Sequence, residues 1–180
     1  LFIKIPLVNP DAFLVRTLPL VRWLFSWIGL ALWLVVVGWG IKTGVDHWEA
    51  LWRQSQSVLA PGNLAWLYAA MIGLKLLHEM GHAYACRHLG GPVPTLGVMI
   101  LIFSPLPFVD ATAAWGFRSR WQRVMVGAAG MIVEVFVAAV AMVVWAATGP
   151  GVVHSVAYNL IFIASVSTLL ANANPLLRFD

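Results

Sequence analysis

The run Asn63–Ala85, NLAWLYAAMIGLKLLHEMGHAYA, decides how the rest of the chain is read. It is apolar over a length that can cross a bilayer, yet it holds Lys75, His78, Glu79 and His82. If the run is a helix, residues four apart share a face, so His78 and His82 offer two imidazoles to one point. Two neutral imidazoles at that spacing form a half-site for Zn²⁺. Glu79 lies about 100° further round the helix, where it can act as a general base toward a metal-activated water without being a ligand. The pattern fixes only three positions in five, and chance also produces it. Its setting argues for function, because ionisable groups at membrane depth are costly and mark sites by default.

The composition places that run in a membrane protein. Of 180 residues, 61% are hydrophobic and 10% charged, with a mean hydropathy of +0.86. Soluble domains sit near 45–50% apolar and about 25% charged. The net charge of +4 does not imply nucleic-acid binding, because the basic residues are scattered between apolar runs. Cys86 is the single cysteine, so neither an internal disulfide nor a multi-cysteine metal site can form within the chain. The start at Leu1 and the abrupt end at Asp180 suggest a fragment of a longer protein.

The expected architecture is an all-α integral membrane fold of about four transmembrane helices. Residues 1–18, with Pro6 and Pro10, read as an extended or interfacial lead-in. A first span is expected over Pro19–Ile41, about the 20 apolar residues a crossing needs, with Trp23, Trp27 and Trp39 toward its ends. Residues 42–62 read as a short amphipathic helix on the membrane surface, with His47 a solvated histidine. The second span is expected over 63–86; its small residues Ala65, Ala69, Gly73, Gly81 and Ala85 form a ridge for a neighbouring helix. Thr95–Phe103, closed by Pro105 and Pro107, is too short to cross and predicts a re-entrant segment or a β-hairpin whose edge can pair with an extended peptide. A third span over 124–147 carries Glu134, expected protonated or paired, and a fourth over 153–173 leads to Asn172, Asn174 and Pro175. The chain thus divides into 1–62 (lead-in, first span, interfacial loop) and a core of three helices over 63–180.

Charge sets the orientation. Lys4, Arg16 and Arg22 precede the first span, Arg87, Arg118, Arg120 and Arg123 lie between the second and third, and Arg178 follows the fourth. The opposite side has Lys42 and Arg53, offset by Asp46 and Glu49. Positive-inside then puts both termini and the 87–123 segment in the cytoplasm. The two histidines fall near the cytoplasmic end of their helix. Asp110, Glu134 and Asp180 are the carboxylates from which a third, oxygen ligand can come.

With these residues in view, the chain resembles the site-2 protease family of intramembrane zinc metalloproteases. His78-Glu79-Met80-Gly81-His82-Ala83 lies in a membrane helix, and Asn172-x-x-Pro175-x-x-x-x-Asp180 is similar to the family's N-x-x-P-x-x-x-x-D-G. The NPLLRFD wording is similar to a bacterial subgroup of peptide zinc metalloproteases, often encoded or fused with peptide-export machinery. The likeness covers about residues 63–180. It implies that His78, His82 and Asp180 bind Zn²⁺ and that Glu79 is the catalytic base. It further implies a peptide or membrane-protein substrate, the lipid bilayer and export machinery as partners, no nucleic acid, and a multi-pass place in a bacterial inner membrane. The family's glycine after the aspartate is absent, and Gly130–Glu134 stands where the wider family has Gly-Pro-x-x-Asn. Two rivals remain at this stage. One is a non-catalytic export or binding module braced by metal; the other is a metal transporter with His78, His82, Glu134 and Asp180 along its path.

Overall fold

The computed structural model describes residues 2–101 and 104–173. Helices dominate, accompanied by one small sheet: β1 (Phe2–Val8), α1 (Asp11–Val21), α2 (Trp27–Asp46), α3 (Trp48–Ser55), α4 (Leu64–His88), β2 (Leu96–Leu101), β3 (Ser104–Val109), α5 (Arg120–Ala147) and α6 (Val152–Ala173). Two of these helices, α2 and α5, are long and apolar enough to cross a membrane, and a shorter apolar stretch covers Val152–Ser167. Along α2, Trp27 (84% exposed), Ile28, Val35, Ile41 and Val45 turn outward. Exposed large apolar side chains of this kind are what a helix facing lipid or a partner presents.

The chain groups into two compact units, residues 1–32 with 75–133 and residues 33–74 with 134–180. In the first, the segment after α4 is a β-hairpin, one of the two forms the sequence allowed. β1 joins it, giving an antiparallel sheet in the order β1-β2-β3. The extended reading of the N-terminus therefore holds for Phe2–Val8. Its continuation does not, because residues 11–21 are helical. Only Leu14 of α1 is fully buried, so no apolar stripe announced the helix. Local chemistry starts it instead: the Asn9 side chain accepts from the Asp11 amide, and Asp11 accepts from the Val93 amide and lies 3.6 Å from Arg87.

The expected first span also moves. The chain breaks at Ser26, which is extended after a 3₁₀ turn over Arg22–Phe25, and the long helix begins at Trp27. It then continues past Ile41 through a Lys42–Asp46 pair one turn apart, which favours helix. α4 matches its expected limits to within two residues; Gly90, at φ +88°, ends it in a conformation that a side chain would strain. The core of this unit joins Leu14, Ala83, Ala85, Cys86, Val93, Val126 and Ala129.

In the second unit, Val58, Ala141, Trp145, Ala157, Tyr158 and Ile161 pack together. Polar ties run through them. Trp145 donates its indole N–H to Gln54 Oε1 at 2.8 Å, His154 Nδ1 lies 3.0 Å from the Thr148 carbonyl, and Tyr158 donates to the Leu51 carbonyl. Asn63 and Asn159 exchange two amide hydrogen bonds, at 2.8 and 3.0 Å, with Asn159 buried. α3 lies between the two long helices in sequence and exposes Trp48 and Trp52, as an interfacial helix does.

Candidate metal centre

The ridge of small residues on α4 is real only in its C-terminal half. Gly73 meets nothing, and Ala65 and Ala69 are exposed. At Gly81, however, a side-chain carbon would come within 2.9 Å of the Ala129 carbonyl and of Val133. Absence of that carbon lets α4 and α5 approach closely, and the approach builds the site.

His78 and His82 do share a face. Their Nε2 atoms lie 3.0 Å apart, with the rings edge-on. The space these two nitrogens look into is kept open by Gly130 of α5, where a side-chain carbon would collide with Nε2 of both rings. Across the helix pair, His82 Nδ1 is 2.6 Å from the Val126 carbonyl. A carbonyl only accepts, so Nδ1 carries a proton, and in the neutral ring Nε2 keeps its lone pair. That is the outer-shell arrangement that orients a metal-binding imidazole. What lies between the two Nε2 atoms is then either a proton on His78 or a cation.

This donor set fits zinc. Two Zn–N bonds of about 2.05 Å at a tetrahedral angle separate the nitrogens by about 3.3 Å, a few tenths more than observed. Glu79 points elsewhere, as its position round the helix requires. Its Oε2 accepts from the backbone N–H of Val109, the last residue of β3, at 2.9 Å.

The candidates for a third ligand separate. Asp110 is engaged locally: its Oδ1 accepts from the amide and the hydroxyl of Thr112 and starts the 3₁₀ turn that follows β3. Glu134 is buried, 1% exposed, one turn after Gly130 on the same helix. Asp180, with Asn174 and Pro175, lies outside the described residues. Among the described residues, no three His, Cys, Asp or Glu side chains come together as a metal set. His47 is exposed, with Nδ1 on the Thr43 carbonyl.

Three contributors escaped the sequence reading. Val126 and Val109 act through backbone groups that their apolar side chains do not advertise, and Gly130 acts through what it lacks. The close spacing of Gly127 and Gly130 before a buried carboxylate was the one available signal. Comparison of the chain with protein-family models, with curated proteins and with solved structures returned no significant match, so the site is read from its own geometry.

Proposed function

We propose that the chain is an intramembrane zinc metallopeptidase of the site-2 protease type, which hydrolyses peptide bonds in a membrane-embedded or membrane-delivered peptide. The observation that carries this reading is the convergence of the two Nε2 atoms on the space at Gly130, with a carboxylate beside them and off their line. A transport path would place Glu79 among the ligands; a structural brace would not need it at all.

In this reading His78 and His82 hold the metal, and Asp180 supplies the third ligand from beyond α6. A zinc ion held by these three residues would supply Lewis acidity toward the scissile carbonyl and toward a water. The chain's own work is proton handling and orientation. Glu79 removes the proton from the water as its oxygen bonds to the carbonyl carbon, and it returns that proton to the amine nitrogen as the C–N bond breaks. Val126 keeps His82 in the tautomer that leaves Nε2 available.

The membrane arrangement belongs to the same proposal. α4 and α6 join α2 and α5 as spans, with both termini and the 87–123 segment cytoplasmic in a bacterial inner membrane. Cysteines introduced at Gln56 and Ser119, with Cys86 replaced by serine, should label from opposite sides of sealed vesicles; labelling from one side would overturn the four-span count.

The chemistry is tested by metal content and cleavage together. Glu79→Gln should retain zinc and lose turnover by about 10²–10⁴. Asp180→Ala should lower zinc occupancy about tenfold or more, while Glu134→Gln retains it. Full turnover in Glu79→Gln would remove the base from the mechanism. Full zinc in Asp180→Ala with none in Glu134→Gln would transfer the third ligand to α5.

A further inference from the structure

Strand β3 is an outer strand of the sheet, and its free edge has an unusual chemistry. The Asp110 amide donates to the Thr95 carbonyl, and the register pairs Val109 with Leu96, Phe108 with Gly97, Pro107 with Val98 and Pro105 with Ile100. Antiparallel pairs alternate between hydrogen-bonded and non-hydrogen-bonded. Positions 110, 108 and 106 therefore face β2, while 109, 107 and 105 turn their backbone groups outward. Proline occupies two of those three outward positions, where its missing N–H costs the ladder nothing. Val109 is left as the one outward donor of the three, and its N–H meets Glu79 Oε2 at 2.9 Å.

We infer that the Val109 backbone amide is a positioning group for Glu79. This assignment rests on the metallopeptidase reading for its catalytic meaning, though not for the contact itself. A carboxylate serving as base has two equivalent oxygens and a rotatable stem. Holding Oε2 on a fixed amide removes rotamers that would swing the base away. The prolines sharpen the device. With no competing outward donor at 105 or 107, the carboxylate has a single place along the strand to dock. They also reshape the docking idea raised by the sequence. An extended peptide laid on this edge finds carbonyls but no free amide at 105 and 107, so the edge is a poor template for a full ladder and a good clasp for one carboxylate.

Proline scanning separates the amide from the side chain. Val109→Pro deletes the N–H at a position that makes no ladder bond, extending a pattern the strand already tolerates. Val109→Ala deletes the side chain and keeps the N–H. If the amide positions Glu79, Val109→Pro lowers kcat by about 10–100-fold with KM and zinc content unchanged, and Val109→Ala stays within about threefold of wild type. A merely structural valine gives the reverse order. An independent readout needs neither metal nor substrate: in the metal-free full chain, Glu79→Ala should speed hydrogen exchange at the Val109 amide about tenfold or more, while Leu106 and Phe108, bonded to β2, keep their protection. Unchanged exchange at Val109, or wild-type kcat in Val109→Pro, overturns the assignment. Should the wild-type chain cleave nothing, the metallopeptidase reading fails, and the exchange experiment still decides the clasp. Should Val109→Pro lose zinc or unfold, the Glu79→Ala exchange rate decides it in the same way.

Discussion

Two polar clusters in this apolar chain are built on opposite principles. In the unit containing α6, polar side chains meet complements: the Asn63 and Asn159 amides exchange donor for acceptor, and the Trp145 N–H closes on Gln54 Oε1. In the unit containing the sheet, two imidazole nitrogens of the same kind are brought within 3.0 Å, and a glycine keeps the space beside them clear. Complementary pairs satisfy themselves and hold helices together. Two imidazole nitrogens brought together can share a proton or a cation, and the capacity for the cation is what sets this pair apart from the amides. A self-satisfied polar cluster in a membrane helix bundle therefore reads as mortar, whereas a convergent one reads as a site.

The largest effect that would break this comparison is expected at Gly130. Gly130→Val fills the space in front of both Nε2 atoms and, on the proposed zinc-site reading, should reduce bound zinc by about 100-fold. Gly127→Val, three residues earlier with open space around it, should leave metal content unchanged. The helix-propensity cost is the same in both, so metal analysis of the pair isolates the collision from any general effect of replacing glycine in α5. Equal zinc in the two variants would mean that the imidazoles do not look into that space.

A smaller effect tests the mortar. Asn63→Ala leaves the buried Asn159 amide without its reciprocal partner and should cost about 1–3 kcal/mol of stability with zinc content unchanged. Changing both to leucine should restore part of that loss, because two apolar groups leave nothing unsatisfied. If the double-leucine variant is no more stable than Asn63→Ala, the amides hold something other than each other.

How much of this was legible beforehand follows the same division. The two-histidine face, the off-line glutamate and the short hairpin were readable because helical spacing and proline placement are local. α4, α5 and α6 followed their apolar runs closely. α1 was missed because its outward Phe13, Val15 and Leu20 blur any stripe, and it is started by Asn9 and Asp11. The break at Ser26 was missed because Trp23, Leu24 and Phe25 carry the apolar run straight into the helix that begins at Trp27. The Asn63–Asn159 pair spans 96 residues, so nothing local could announce it. The clasp on Glu79 and the tautomer lock on His82 use backbone atoms, which every residue has.

His88 gives the smallest expected effect and sharpens the comparison from the side of protonation. It sits at the last turn of α4, past His78 and His82, and stacks on Phe25 with ring centroids 4.4 Å apart and planes 10° from parallel. Burial holds its pKa below the ordinary 6.5, and the Arg22 charge adds to the same shift. The folded state thus prefers the neutral ring. Its contribution to stability is complete above pH 6.5 and is lost as the pH falls through the lowered folded-state value, since the unfolded chain takes up the proton first. A phenylalanine at this position keeps the stacked ring and cannot titrate. In metal-free protein, wild type should therefore lose thermal stability relative to His88→Phe on passing from pH 7.5 to pH 5. The difference should be a modest one, because the ring is only partly buried. A parallel fall in both proteins would show that His88 bears no proton-linked cost and that acid sensitivity resides elsewhere, with the paired imidazoles of the site the first place to look.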